Sequence, residues 1–399
     1  MVDPKTFYRD FDDLLKRITH DETGEGFVCS ILEAVQDSFG ESLRIVSMRL
    51  YEERGGEFVL INKFSQNGRV LAKRLPRESE AVQLVLKNGS YIFSEPQVSI
   101  DISVSDQVEY AIPAAILIRS PEQRWIAVFE LGAGWGREEV TFSLNAIRTA
   151  LNFRLFSEAI KTELEQAAQI QRSLLPGQVP KVRGYEMAVR YQPTEIVGGD
   201  LYDFFEMGDE MFGVCIGDAS GHGLPAALLV RDSVIGLRMG IERHLKMVHS
   251  LQKLNAVLCR SNYSSRFVSL FYCEIERDGH LIYANAGHPA PFVVKGNEVQ
   301  DLNATGLLLG AIPEIKLHRS FANITPGAVV VLYSDGMFER ENEKEEAFTI
   351  QRMKDLVIAN QEKSAKEILD VVFDTVEKFG NSDKWEDDST LLIIKRLAE

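Results

Sequence analysis

From residue 24 onward the chain alternates between two rhythms of apolar and polar positions. In "GFVCSILEAVQDSFG" apolar residues recur at helical spacing and stop at Gly40, whereas "LRIVSMRLYEE" and "EFVLINKF" alternate as half-buried strands do. A long loop around "SEPQVSIDISVSDQVEY" leads to two further strands, "AIPAAILIR" and "RWIAVFELG", joined by the turn-like "SPEQ". "REEVTFSLNAIRTALNFRL" then opens a helix rich in early acids. The order helix, strands, helix, strands, helix over 24–150 describes one domain, preceded by a helical extension over 1–23.

The last of these helices has no stop signal at the end of that domain. Phe153, Phe156, Ile160, Ala167, Ile170 and Leu174 keep a 3,4 spacing, interrupted where Glu163 takes a seam position beside Leu164, until Pro176 ends the run. A helix from 138 to 174 would span about 55 Å. The pattern predicts a connector over 151–176 that pairs with a second copy through 151–174 as a parallel coiled coil, a homodimer. The alternative is a single amphipathic helix lying on its own domain.

The remainder, 177–399, is strand-rich. Strands are expected at 185–193, 199–206, 211–217, 266–276, 280–286, 290–295, 328–334 and 389–396, with helices near 224–241, 245–262, 350–358 and 365–379. The last helix carries a capping box in Ser364 and Glu367 and a stop in Gly380. Within the stretch "IVGGDLYDFFEMGDEMFGVCIGDASGHG", a three-residue "GDE" loop centred on Asp209 would set Asp200 directly opposite Asp218. Opposed residues share a face with Cβ atoms about 5 Å apart, where two like charges repel unless a cation sits between them. That register depends on the loop type, since a slip of one residue spoils it.

Two more acids stand at the ends of apolar strands. Asp335 follows "AVVVLYS", and Asp387 with Asp388 opens "DDSTLLIIK". Antiparallel pairing can gather Asp200, Asp218, Asp335 and Asp387 at one edge of the sheets, an all-oxygen set suited to hard divalent ions such as Mg²⁺ or Mn²⁺. Any one such Asp alone is more commonly a turn or cap residue. Asp203 and Asp388 are candidates for orienting the ligands.

Composition narrows the partners. With 399 residues and 45% hydrophobic content the chain can build two domains and a connector, and its formal net charge of −15 argues against nucleic acid or anionic lipid as the main partner. Its longest apolar run is "AIPAAILI", and "MVDPKTFYRDFDDLL" lacks a signal-peptide layout, so a soluble, cytoplasmic protein without a membrane span is expected. Cys29, Cys215, Cys259 and Cys273 are scattered without a CxxC pair, as core residues in a reducing compartment would be.

Taken together, "VGGDLYDFF", "IGDASGHGLPAALL", "YANAGHPAPFVV", "TGLLLG", "LYSDGMFE" and "DDSTLLIIK" resemble the PPM-type metal-dependent serine/threonine phosphatases of the bacterial SpoIIE and RsbU group, in order across 185–396. The element order of 24–150 resembles a GAF sensor domain. The resemblance implies an α+β chain in which a GAF-like α/β sensor domain and a long helical connector precede an αββα sandwich of two antiparallel sheets over 177–399. It implies two divalent cations, Mn²⁺ or Mg²⁺, held by Asp200, Asp218, Asp335, Asp387 and the backbone carbonyl of Ala219, a position often held by Gly or Val in the group. Water activated by these metals would then attack phosphorus, with no residue-borne nucleophile. The substrate it implies is a phosphoserine or phosphothreonine on a regulatory protein of the anti-sigma-factor antagonist type, under control of an unidentified sensor ligand or protein.

Other residues near these motifs are assigned structural roles. His222 in "SGHG" and His288 in "AGHP" are expected to make structural hydrogen bonds, and Gly221, Gly223 and Gly287 to permit tight turns. Ser220 and Ser334 lack a Ser-His-Asp order or a GxSxG elbow, and no GxxxxGK[ST] loop is present. Two other readings stay open: another two-metal phosphoryl enzyme such as a nucleotide cyclase, and a degenerate phosphatase domain acting as a binding module.

Overall fold

A computed structural model describes residues 7, 9–11, 13–14, 24–64, 72–95, 98–100, 111–242, 246–260, 267–380, 382 and 384–398. The chain forms two compact units, Met1–Thr162 and Glu163–Glu399. Their boundary falls inside the long helix, so the expected connector 151–176 is shared between them.

In the first unit, helix α1 (Glu25–Phe39) is followed by β1 (Ile45–Arg54), β2 (Glu57–Lys63), β3 (Arg74–Pro76), α2 (Glu80–Asn88), β4 (Ser90–Ile92), β5 (Ile112–Arg119), β6 (Arg124–Leu131) and α3 (Arg137–Arg172). The strands form one antiparallel sheet in the order β3-β2-β1-β6-β5-β4. Strand alternation splits its side chains between two cores: Met48, Leu50, Ala127 and Phe129 pack with α1 and the first half of α3, whereas Tyr51, Ile126 and Val128 pack with α2. Of the expected extension over 1–23, only residues 7, 9–11 and 13–14 are described; they are helical, and Phe7 and Phe11 join the α1 core. Most of the expected loop over 94–110 lies outside the described residues.

The second unit continues with β7 (Tyr185–Gln192), β8 (Asp200–Glu206), β9 (Met211–Ala219), α4 (Leu224–Glu242), α5 (Met247–Arg260), β10 (Val268–Glu276), β11 (His280–Ala286), β12 (Phe292–Lys295), β13 (Glu298–Asp301), β14 (Ser320–Asn323), β15 (Val329–Tyr333), the single turn α6 (Gly336–Glu339), α7 (Ile350–Asn360), α8 (Ala365–Phe379) and β16 (Ser389–Arg396). Two five-stranded antiparallel sheets, β14-β11-β10-β9-β8 and β13-β12-β15-β16-β7, lie face to face. Their inner faces share one core, to which Val214, Ile216 and Phe271 come from the first sheet and Val330, Leu332, Leu392 and Ile394 from the second. Outer faces are covered by α4 and α5 on one side and by α7 and α8 on the other. The capping box forms as expected, with Ser364 and Glu367 each accepting from the other's backbone N–H.

Candidate active site

The β8–β9 hairpin turns through Gly208 at φ +90° and pairs Asp200 with Asp218. Both carboxylates share the face that carries Tyr202, Val214 and Ile216 into the space between the sheets. Asp335 leaves the end of β15 as the N-cap of α6, and Asp387 and Asp388 precede β16 in the opposite sheet. The two sheets thus bring strand ends from four different strands to one edge of the sandwich.

Hydroxyls from the second sheet reach Asp200. Thr390 Oγ1 donates to Asp200 Oδ2 at 2.5 Å, and Ser334 Oγ accepts from the Thr390 N–H at 2.8 Å. The other oxygen of Asp200, Oδ1, is buried and has no hydrogen-bond partner. A buried carboxylate oxygen without a donor is costly unless a proton or a cation meets it. Gly199 brings further oxygens close by: a Cβ at that position would stand 2.9 Å from the Ala219 carbonyl, 3.2 Å from Asp218 Oδ1 and 3.3 Å from the Gly221 carbonyl. The residues present are all oxygen donors and fit hard divalent cations.

Charge at this edge is unbalanced. Burial and then Asp218 hold the Asp200 carboxyl well above the usual range, against the pull of the Thr390 and Ser334 hydroxyls. Burial, followed by Asp335 and Asp387, pushes Asp218 up to about 7, and burial and then Asp387 push Asp335 up to about 6. No three of these acids have carboxylate oxygens mutually within 4.8 Å. Among the described residues the one cluster that meets that distance is Glu276, Asp278 and His280, at the far end of β10.

Asp388 accepts from the N–H groups of Thr194, at 2.8 Å, and Gly199, so it holds the loop that leads into Asp200. Asp203 does not face this site. Alternation along β8 turns it to the helical side with Leu201 and Phe205, where it accepts from Arg238 Nε at 2.7 Å; this corrects the expectation that it orients a ligand. The "DLYDFFE" spacing already placed residues 200 and 203 on opposite faces. His288 is buried, with Nδ1 2.8 Å from Ser269 Oγ and Nε2 3.1 Å from the Tyr333 carbonyl. A carbonyl only accepts, so Nε2 carries the proton, and burial lowers the imidazole to about 3. Neutral His288 therefore ties Ser269, the cross-strand partner of Asp218, to the strand that delivers Asp335. His222 is 80% exposed with Nδ1 3.0 Å from Glu195 Oε1, and Gly221 and Gly223 adopt φ of +88° and +71°.

The sequence reading missed three site residues. Thr390, in β16 of the second sheet, reaches its partner Asp200 in β8 of the first. Gln171, in the last turn of α3, exchanges hydrogen bonds with the backbone of Gly198: its amide donates to the Gly198 carbonyl and accepts from the Gly198 N–H at 3.2 Å. Ser269 was hidden in an apolar strand. Beside the acids a cleft of about 560 Å³ is lined by Thr194, Glu195, His222, Lys384, Trp385 and Asp387.

A family model, Stage II sporulation protein E (SpoIIE), matches residues 208–397. The phosphoserine phosphatase RsbU of Bacillus subtilis is 30% identical over 248 residues, covering 61% of this chain and 72% of its own length. The phosphoserine phosphatase RsbP of the same organism is 25% identical over 185 residues, covering 45% of this chain and 46% of its own. Among solved structures, the SiaA-PP2C domain of Pseudomonas aeruginosa superposes with a TM-score of 0.54 at 22% identity, over 60% of this chain and 98% of that one, a likeness of fold. No helix among the described residues is long and apolar enough to cross a membrane.

Proposed function

The chain belongs to the family of SpoIIE- and RsbU-type phosphatases, and from that premise we propose that it hydrolyses phosphoserine or phosphothreonine on a regulatory protein at the edge of its two-sheet sandwich. The observation that carries this reading is the opposition of Asp200 and Asp218 with Asp200 Oδ1 buried and unpartnered. Asp200, Asp218, Asp335, Asp387 and the Ala219 carbonyl would hold two divalent cations, Mn²⁺ or Mg²⁺. When bound, such ions lower the pKa of water to make a nucleophile and neutralise phosphoryl oxygens.

The chain's own residues do the rest. Thr390 and Ser334 orient Asp200, Asp388 fixes the loop before it, and His288 locks the two sheets in register, so the oxygens are set before substrate arrives and need no rearrangement during the reaction. The cleft lined by Thr194, His222 and Trp385 would admit the phosphorylated side chain. The substrate is of the anti-sigma-factor antagonist type, a small phosphoprotein in a cytoplasmic partner-switching circuit.

In the same proposal the first unit is a GAF-like sensor, supported by its six-stranded antiparallel sheet with helices on both faces. Its ligand is a small molecule or protein, and α3 carries the signal as a parallel dimer. Phe153, Phe156, Ile160 and Ile170 on that helix are exposed, which leaves an apolar stripe for a second copy. The Gln171 clamp on Gly198 gives the helix a direct hold on the backbone beside Asp200. The test is phosphate release from a phosphoserine peptide by the purified full chain. Turnover that needs Mn²⁺ or Mg²⁺ and stops in EDTA supports the reading, and no turnover with either metal on any phosphoserine or phosphothreonine substrate overturns it.

A further inference from the structure

Arg340 has no solvent exposure along its side chain, yet it pairs with Glu386, which is 49% exposed. It follows directly on α6, the turn that Asp335 caps, and its guanidinium extends into the irregular segment that ends in Asp387 and Asp388. There Nη1 donates to Glu386 Oε2 at 2.8 Å and to the Lys384 carbonyl at 3.3 Å, and Nη2 donates to the Ser382 carbonyl at 2.5 Å. The same guanidinium stacks 4.4 Å from the ring of Trp385, which is itself packed on Phe373. Gly380 closes the other side, where a Cβ would come within 2.1 Å of Arg340 Nε.

Stability alone does not call for this residue. Burying a guanidinium costs several kcal/mol, and an apolar side chain of similar volume generally serves a core as well. What an arginine adds is a planar fork of donors that can hold several acceptors at fixed angles. Here the guanidinium's acceptors are on Ser382, Lys384 and Glu386, residues that belong to no helix or strand and stand one to five positions before Asp387. The start of α6 touches the far end of the same segment: a Cβ at Gly336 would stand 2.3 Å from the Asp388 carbonyl and 2.5 Å from Ser389 Oγ. Asp335 and Asp387 thus sit on two backbone pieces that are joined on both sides, by Arg340 and by the Gly336 contact.

We infer that Arg340 is a positioning residue of the phosphatase centre, fixing Asp387 relative to Asp335 by clamping the 382–386 segment to the turn that Asp335 caps. This rests on the proposed metal-binding role of those two acids. Arg340 touches neither acid, so its removal should weaken metal binding while leaving the chemistry intact once metal is forced on.

The experiment uses the full chain with Arg340→Lys, Gly380→Ala and Glu386→Gln. Mn²⁺ affinity is measured by calorimetry on EDTA-stripped protein, and the Mn²⁺ dependence of phosphoserine-peptide hydrolysis is followed alongside melting in EDTA. Lysine keeps the charge and loses the fork, and Gly380→Ala displaces the guanidinium without altering it, in a backbone conformation that alanine accepts. Both should weaken Mn²⁺ binding about tenfold, with kcat at saturating Mn²⁺ recovering to within about threefold and KM for peptide little changed. The double variant should lose no more than the worse single one, because both act on the same group.

Parental Mn²⁺ affinity in folded Arg340→Lys or in Gly380→Ala, or additive losses in the double variant, would overturn the role. Should Arg340→Lys fail to fold, Gly380→Ala and Glu386→Gln decide in the same way, Glu386→Gln with a smaller loss expected. A parent chain that binds no Mn²⁺ overturns the metal centre itself and this role with it, whereas a parent that binds while all variants match it overturns the role alone.

Discussion

Asp218→Asn should make the metal-free protein more stable at alkaline pH while abolishing its metal dependence. In the fold, burial and the neighbouring acids push Asp218 from 3.8 up to about 7. An acid whose folded pKa lies above its unfolded value favours the fold when protonated, and that stability is lost as pH climbs through the folded pKa. Between 3.8 and 7 the native state therefore binds the extra proton, and by pH 8 the fold holds an unwelcome charge at a cost of up to about 4 kcal/mol. Solvent at the open edge of the site eases part of this, so a gain of about 2 kcal/mol is expected for the asparagine variant. For a unit of this size that is a rise in Tm of about 4–8 °C. The assay is thermal melting in EDTA at steps from pH 4 to pH 8. The parent should lose stability as pH rises, the variant should lose less, and the two should converge near pH 4, at the unfolded pKa. Added Mn²⁺ should raise the Tm of the parent only. A variant that melts at or below the parent at pH 8 in EDTA, or that Mn²⁺ stabilises equally, would refute the claim that Asp218 is one of a repelling set waiting for a cation.

Thr390→Val removes the one hydroxyl donor seen on Asp200 Oδ2 with little change of shape; a bond to a charged group is worth about 1.5–3 kcal/mol, so Mn²⁺ affinity should change by at least tenfold, and an unchanged titration would show that Thr390 does not orient Asp200. His222→Ala should lose less than about tenfold in kcat, because His222 is exposed and pairs only with Glu195; a loss beyond about a hundredfold with metal occupancy unchanged would make it a proton donor. Glu163→Leu in the connector seam should shift the basal rate, and the parent should sediment as a dimer at micromolar concentration. Monomeric sedimentation, or an identical rate in that variant, would leave the helix as a passive spacer.

The hairpin was legible because its turn is. Gly208 supplies the positive φ that the short loop needs, and with that loop Asp200 meets Asp218; β9 is buried on both faces from Phe212 to Gly217, so the turn and not the burial pattern sets the register. Strand ends at 335 and 387 were readable because each lies next to a run of Val, Leu or Ile. The edge strands β13 and β14 were not, since Glu298–Asp301 and Ser320–Asn323 each bury little and carry no periodic signal. Nor was α6, which is a single turn. The residues that orient the acids were hidden for a different reason. Thr390 is separated from Asp200 by 190 positions and Arg340 from Glu386 by 46, and such partners are set by sheet packing that no local pattern encodes. Asp203 is the opposite case, a residue whose correct face was available in the alternation of β8 and was outweighed by its nearness in sequence to Asp200.

The central claim is that the strand-end acids form a divalent metal centre for phosphoryl hydrolysis. Anomalous diffraction from crystals of the full chain grown with Mn²⁺ tests it most directly. The account predicts two strong peaks between Asp200, Asp218, Asp335 and Asp387, about 3.5–4 Å apart, with the Ala219 carbonyl as a ligand of one. Fully occupied Mn²⁺ at Glu276, Asp278 and His280 with none between the sheets, or no bound Mn²⁺ at all under conditions that support hydrolysis, would contradict it.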